Sequence, residues 1–163
     1  MGRLTSVNLA LSQALRQANT QTHGLLMTRM QSELDISERL AEQVVALARR
    51  CKLDPAPLQS AALLHRIGEF CVLYQIQKWE GQGHSLDEEA LCQALHDFAA
   101  PFAISLKACW GLPLALRELI GAIYVLPPMQ VRREQVVMRL AAAINNGEPG
   151  ADLERLYRLS GLA

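Results

Sequence analysis

Aromatic residues are scarce in this sequence, at 5% of its 163 residues, so large rings cannot dominate a hydrophobic core. Half of the chain is nevertheless hydrophobic, which leaves Leu, Ala, Val and Ile to fill one core. Ala and Leu are strong helix formers and β-branched residues are sparse. The composition therefore predicts an all-α fold, and the length is that of one domain.

The sequence also lacks an excess of charge of either sign, since 16 basic residues balance 16 acidic ones. Without a broad positive surface, we expect neither nucleic acid nor a membrane as a partner. No apolar run reaches the roughly 18 residues of a membrane span, and no secretory leader pattern opens the chain. We therefore expect a cytoplasmic protein.

A Cys-x-x-Cys pair is missing as well. The four cysteines are Cys51, Cys71, Cys92 and Cys109, each in an apolar, helix-like context. We expect buried, reduced thiols rather than a metal or disulfide site.

Several enzyme motifs are absent. The chain has no glycine-rich phosphate loop, no Gly-x-Ser-x-Gly turn and no His-Glu-x-x-His pair. Residue spacing alone therefore does not require an enzyme, and no cofactor is expected.

What the sequence does contain is a series of helix signals separated by short breaks. Residues 35–38 and 85–88 each resemble a capping box, and Asp54–Pro55 combines an N-cap with proline in the first turn. Pro101 and Pro113 are each predicted to open a further helix. These signals predict one compact bundle of about eight to nine helices over residues 1–163.

The predicted central helix, residues 57–76, is apolar on nearly every side, which is typical of a helix inside a bundle. Gly68 lies within it and predicts a close approach by another helix. The predicted core comprises Leu63, Leu64, Ile67, Phe70, Leu73, Leu106, Trp110, Leu112, Leu116, Ile120 and Leu140.

Two histidines lie where chemistry is conceivable. His65 falls inside the predicted central helix, where a hydrogen-bonded core histidine is the alternative to a site residue. His96 and Asp97 could supply adjacent nitrogen and oxygen ligands, although a solvated pair near a helix end is the simpler interpretation. His23 and His84 have no ligand partner nearby in sequence.

Residues 61–68, Ala-Ala-Leu-Leu-His-Arg-Ile-Gly, resemble the HDOD family, the HD-related output domains of bacterial signalling proteins. That family typically has Leu-Leu-His-Asp-Ile-Gly here. Residues 106–113 are similar to its Leu-Leu-x-x-Trp-x-Leu-Pro signature, and residues 136–143 to its helix ending in Leu-Ala-Asp. The resemblance covers roughly residues 5–163. It implies an HD-domain-like bundle, the later part of the family domain, without the usual N-terminal helices.

The departures from the HD pattern bear on catalysis. Active HD phosphohydrolases hold one or two metals with His and Asp ligands, and the metal generates a hydroxide. Here His65 matches the His of the central dipeptide, but Arg66 replaces the Asp, and a guanidinium cannot ligate a metal. Ala99 and Ala142 align with further ligands, and residues 124–127 replace a His-His pair. The resemblance therefore implies a member without a hydrolytic metal.

Arg66 has two interpretations. Its guanidinium could replace the lost cation and pair with a carboxylate, with Glu69 as the local candidate and Asp97, Glu88 and Glu89 as distant ones. Alternatively, Arg66 points to solvent at the bundle edge. An unpaired, buried arginine would cost several kcal/mol.

The resemblance implies a non-enzymatic regulatory module that binds other signalling proteins or itself. One alternative is a pocket in which His65, Arg66 and Glu69 bind a nucleotide or phosphate, since arginine suits phosphate recognition. The other is a residual metal-dependent phosphohydrolase that uses His65, His96 and Asp97.

Overall fold

A computed structural model describes residues 8–10, 12–14 and 24–162. Of the described residues, 79% are helical and none lies in a strand, so the all-α prediction is confirmed. Within the same residues, no helix combines the length and apolar character needed to cross a membrane.

Residues 8–10 and 12–14 are helical. The helices that follow are α1 (Leu25–Arg50), α2 (Pro55–Leu64), α3 (Ile67–Glu80), α4 (Glu88–Cys109), α5 (Leu114–Tyr124), α6 (Arg133–Asn146) and α7 (Gly150–Ser160).

The predicted count of eight to nine helices is slightly off, because two predicted breaks do not occur. Asp35 was expected to open a helix, but its side chain instead accepts a hydrogen bond from Gln31, one turn earlier in α1, at 2.7 Å. Pro101 was also expected to open a helix, yet it lies inside α4. Proline removes one backbone hydrogen bond there, and the packing of α4 on α3 offsets that loss.

The predicted central helix is interrupted, in contrast. Arg66 has φ −100° and ψ 18°, outside the helical region, so the segment divides into α2 and α3. His65 is the C-cap of α2 and Arg66 is the N-cap of α3. The two candidate site residues therefore form the break itself.

Contacts within the chain define two compact units. Of the described residues, unit 1 holds 8–10, 37–65 and 113–162, and unit 2 holds 12–14, 24–36 and 66–112. The assignment of residues 1–163 to one domain stays a prediction.

Unit 1 is organised around α6, which packs against α2, α5 and α7. Eight residues of α6 are buried, from Gln135 to Ala143. Arg133 Nε donates to the carbonyl oxygen of Ser160 at 2.8 Å, and Cys51 Sγ lies 3.6 Å from the same oxygen. These contacts fasten the end of α7 to the rest of unit 1.

Unit 2 is built on the pair α3 and α4. Its core consists of Leu26, Met30, Val72, Leu73, Ile76, Leu91, Leu95 and Ala99. The predicted close approach at Gly68 is confirmed, because a Cβ atom there would lie 2.0 Å from the carbonyl oxygen of Ala99. Only glycine lets the two helices meet at this point.

Most of the predicted core is buried: Leu63, Leu64, Ile67, Phe70, Leu73, Ile120 and Leu140. Leu106, Leu112 and Leu116 are half-buried. Trp110 was wrongly predicted, since it is 54% exposed. It is the C-cap of α4, whereas the core of unit 2 takes residues 91–99 of that helix and Phe102 packs against it, so Trp110 lies beyond the packed stretch.

The prediction of buried cysteines is half wrong. Cys51 is buried and Cys71 half-buried, whereas Cys92 and Cys109 are exposed, and all four are free thiols. The buried face of α4 carries Leu91, Leu95 and Ala99. Cys92 follows Leu91 directly, so the helix turns it about 100° away from the core.

Candidate functional site

His65 closes α2 and is buried within unit 1, with 8% of its surface exposed. Its Nδ1 lies 2.6 Å from the carbonyl oxygen of Ala62. A carbonyl only accepts, so this geometry assigns the proton to Nδ1. The Tyr124 hydroxyl donates to the His65 carbonyl at 3.2 Å, and the two rings lie 6.4 Å apart. These contacts favour the hydrogen-bonded core histidine.

Arg66 is the N-cap of α3 in unit 2, and its guanidinium forms ion pairs with two carboxylates. Nε and Nη2 lie 2.7 Å and 2.6 Å from Oε2 of Glu33, while Nη1 lies 2.9 Å from Oε1 of Glu69. The side chain is 23% exposed, so the solvent-pointing alternative is wrong. The expected contact with Glu69 is present, one turn further along the helix.

Glu33 is the partner of Arg66 that the sequence analysis missed. It lies on α1 with its side chain 1% exposed, and its Oε1 is 3.1 Å from Nε of Arg29. The sequence did contain two indications, because Arg29 and Glu33 are spaced i,i+4 and Arg66 and Glu69 are spaced i,i+3. It did not indicate that these two pairs meet, since 33 residues separate Glu33 from Arg66.

The distant carboxylates suggested for Arg66 have other surroundings. Both Asp97 oxygens accept from the Gln93 amide at 2.9 Å on the exposed side of α4. Glu88 and Glu89 lie exposed in the first turn of α4, where their charge suits the positive end of the helix dipole. None of the three is among the ion pairs of Arg66.

Together, Arg29, Glu33, Arg66 and Glu69 form an ion-pair cluster with two charges of each sign. We call these four residues the Arg66 cluster. A buried carboxylate such as Glu33 carries a large desolvation cost unless cations and hydrogen bonds compensate it. Nε and Nη2 of Arg66 serve this purpose for Glu33, and Nη1 pairs with Glu69, so the guanidinium has no free fork to grip a phosphate.

The residues suggested for a residual metal site are divided between the two units. His65 is buried in unit 1, whereas His96 and Asp97 are exposed on α4 of unit 2. The described ranges contain no group of three or more His, Cys, Asp or Glu that could hold a metal ion. Ala99 and Ala142, which align with family ligands, are buried and have no donor atom in their side chains. These residues do not fit a hydrolytic metal.

Comparison with known proteins gives one informative match. A family model for the HDOD domain matches residues 1–125. No curated protein and no solved structure gives a significant match. Because the matched residues make up well over half of the sequence, the chain belongs to the HDOD domain family.

Proposed function

We propose that this chain is a non-enzymatic regulatory module of signal transduction that acts by binding other proteins. Membership of the HDOD family makes it a signalling-associated module. The observation that carries the proposal is the pairing of Arg66 with Glu33 and Glu69. At the position where an HD phosphohydrolase has a metal-binding aspartate, this chain holds a fixed cation that is fully engaged by its own carboxylates.

The same pairing argues against a pocket for a nucleotide or phosphate at His65, Arg66 and Glu69. A phosphate would have to displace two carboxylates from one guanidinium and leave the buried Glu33 with Arg29 alone. Breaking a buried pair in this way costs several kcal/mol. The His65 Nδ1 proton is likewise already donated to Ala62.

The enzyme alternative is tested by metal analysis and by hydrolysis of a generic phosphate monoester and diester in the presence of Mn²⁺ or Mg²⁺. We expect no stoichiometric metal and no turnover above the protein-free rate. A matched pair of variants, His65→Ala and His84→Ala, controls for a contaminating hydrolase. Stoichiometric metal together with turnover that His65→Ala alone abolishes would refute the proposal.

The ligand alternative is tested by thermal unfolding in the presence of nucleotides and of inorganic phosphate. A ligand that binds only the native state raises the melting temperature. We expect no shift in the wild-type protein. A shift that disappears in Arg66→Ala, and that remains in Arg132→Ala, would favour the phosphate-binding alternative instead.

A further inference from the structure

Two side chains that can ligate a metal lie one turn apart on the exposed side of α4. Cys92 and His96 are both exposed, and the helix is continuous from Glu88 to Cys109. Side chains four residues apart on a helix are neighbours, with Cβ atoms about 5–6 Å apart. Two histidines of one helix share a zinc ion at this same spacing. A thiolate sulfur and an imidazole nitrogen placed in this way are therefore suited to one zinc ion.

Both side chains are available to an ion. In the part of the chain that the structure describes, Cys92 is a free thiol and His96 takes part in no hydrogen bond, ion pair or ring contact. Asp97, the neighbour of His96, is engaged instead, since both of its oxygens accept from the Gln93 amide. A zinc ion could therefore bind Cys92 and His96 without breaking a described contact.

No other exposed thiol of this chain has such a neighbour. Cys109 is exposed on the same helix, but the residues three and four positions before and after it include no His, Cys, Asp or Glu. Cys51 is buried and Cys71 is half-buried. The combination of exposure and a histidine one turn away is specific to Cys92.

One chain supplies only half of a structural zinc site. Such sites hold the ion in a tetrahedron of four protein ligands. The described ranges contain no group of three or more His, Cys, Asp or Glu that could hold a metal ion. Two more ligands must therefore come from outside the chain. A second copy related by a two-fold axis supplies them most simply, because its own Cys92 and His96 complete a set of two thiolates and two imidazoles.

An antiparallel approach of two α4 helices permits this contact. Residues 88, 92, 96 and 100 follow at steps of four and form one row along the helix. When two such rows meet antiparallel about their centre, Cys92 of one copy lies opposite His96 of the other, and Glu88 lies opposite Ala100. All four positions are exposed. Because Ala100 is small, the helices can approach, and the two Glu88 carboxylates do not face each other.

We propose that Cys92 and His96 of two copies of this chain bind one zinc ion between them. The two thiolates balance the charge of Zn²⁺, so the filled site is neutral. Four protein side chains complete the tetrahedron and leave no position for a water molecule, so the site is structural rather than hydrolytic. This inference rests on the proposed function, since the second copy is one of the proteins that the module binds.

The first experiment is sedimentation velocity of the full chain under a phosphine reductant, after dialysis against EDTA. Zinc chloride is then added in steps. The mass is expected to rise from one chain to two and to stop rising at one zinc ion per two chains. Excess EDTA should reverse the change, which distinguishes a zinc bridge from a disulfide. Mg²⁺ is the control cation, since it prefers oxygen ligands and should leave the mass unchanged.

Four variants test the ligands. Cys92→Ser and His96→Ala should each raise the zinc concentration needed for half-maximal doubling of the mass about tenfold or more, because even residues that only orient a ligand contribute roughly 10–100-fold to metal affinity. The matched controls are Cys109→Ser, an exposed thiol of the same helix, and His84→Ala, an exposed histidine of the same unit. Both controls should behave like the wild type. All four positions are exposed, so circular dichroism should show unchanged helix content.

Co²⁺ gives a readout in the wild-type protein that no variant can obscure. A tetrahedral cobalt site with thiolate ligands absorbs strongly in the visible range and shows a sulfur-to-cobalt charge-transfer band, whereas hydrated Co²⁺ absorbs only weakly. We expect both features to develop as the mass doubles. The charge-transfer band should be missing in Cys92→Ser and present in Cys109→Ser.

Three outcomes would overturn the inference: a mass that stays at one chain in zinc, saturation at one ion per chain, or doubling in Cys92→Ser or His96→Ala at an unchanged zinc concentration. Failure of the proposed function appears differently, as turnover with Mn²⁺ or Mg²⁺ that His65→Ala abolishes. A chain that stays monomeric in zinc and shows no such turnover overturns only the zinc site.

Discussion

Nη2 of Arg66 lies 2.6 Å from Oε2 of Glu33, a carboxylate whose side chain is only 1% exposed. The contact joins the start of α3 to the middle of α1 within unit 2. It supplies a cation to a buried anion, which is the electrostatic task that a bound metal performs in an HD site. The pairing is the observation on which we base the proposal of a non-enzymatic module.

Removal of the Arg66 guanidinium should destabilise the protein. Arg66→Ala leaves Glu33 with Arg29 alone, and we expect a loss of about 3 kcal/mol in the free energy of unfolding. Arg132→Ala, which breaks the exposed pair with Glu118, should cost at most about 1 kcal/mol. Urea unfolding followed by circular dichroism measures both. Equal losses would show that the Arg66 cluster behaves as a surface pair. The double variant Glu33→Leu with Arg66→Met should recover much of the loss, because the buried Glu33 carboxylate is removed together with its partner.

Gly68→Ala should also destabilise the protein, because the new methyl group would overlap the Ala99 carbonyl oxygen at 2.0 Å. Forced overpacking of this kind costs about 1–3 kcal/mol. Gly121→Ala is the matched control, since it lies within α5 with open space around its Cβ position. That variant should gain up to about 1 kcal/mol from helix propensity. Thermal unfolding compares the two, and a stabilising Gly68→Ala would contradict the close helix contact.

Acid should lower the free energy of unfolding, partly through protonation of Glu148. A side-chain hydrogen bond from Arg139, helped by the charge of that guanidinium, lowers the pKa of Glu148 below its usual value of 4.5. Because the pKa of Glu148 is lower in the folded protein than in the unfolded chain, its ionised form stabilises the fold. This stabilisation is complete above the pKa of the unfolded state and is lost as the pH falls through the pKa of the folded state. We expect Glu148→Gln to be destabilising by up to about 1 kcal/mol near neutral pH, and neutral once the pH lies below both pKa values. Denaturant unfolding at the two pH values measures this difference, and a constant difference would contradict it.

The four thiols should alkylate in an order set by exposure and pKa. Cys92 and Cys109 are exposed and should react first with iodoacetamide, while Cys51 is buried and should react last. Burial raises the pKa of the half-buried Cys71 thiol, so less of its reactive thiolate forms at neutral pH. At neutral pH its labelling should therefore be slower than that of the exposed thiols Cys92 and Cys109. Mass spectrometry of timed samples follows each site, and fast labelling of Cys51 would contradict the described burial.

Local patterns predicted much of the fold. The N-cap at Asp54, whose side chain accepts from the Ala56 amide at 3.0 Å, is where the sequence placed it. The second capping box, residues 85–88, was placed two residues too early, because Asp87 rather than Ser85 accepts from the Ala90 amide and α4 begins at residue 88. Such caps depend on residues two or three positions apart, so a sequence displays them directly.

The wrong predictions concern features that local patterns do not decide. Asp35 has the residue type of a cap, but its partner is Gln31 and the helix continues through it. Pro101 breaks isolated helices, yet it is tolerated in α4, which packs against α3. Packing energy can exceed the few kcal/mol of a local preference.

The sequence by itself determined the helical class, the family, the replacement of a metal-binding aspartate by Arg66 and the glycine that lets two helices meet. Each of these depends on residue identity or on spacing within a few turns. Only the tertiary structure decided that Glu33 is the main partner of Arg66 and that Trp110 is exposed. Those features depend on which distant segments pack together, because burial and ion pairing arise from the sum of many weak contacts across the fold.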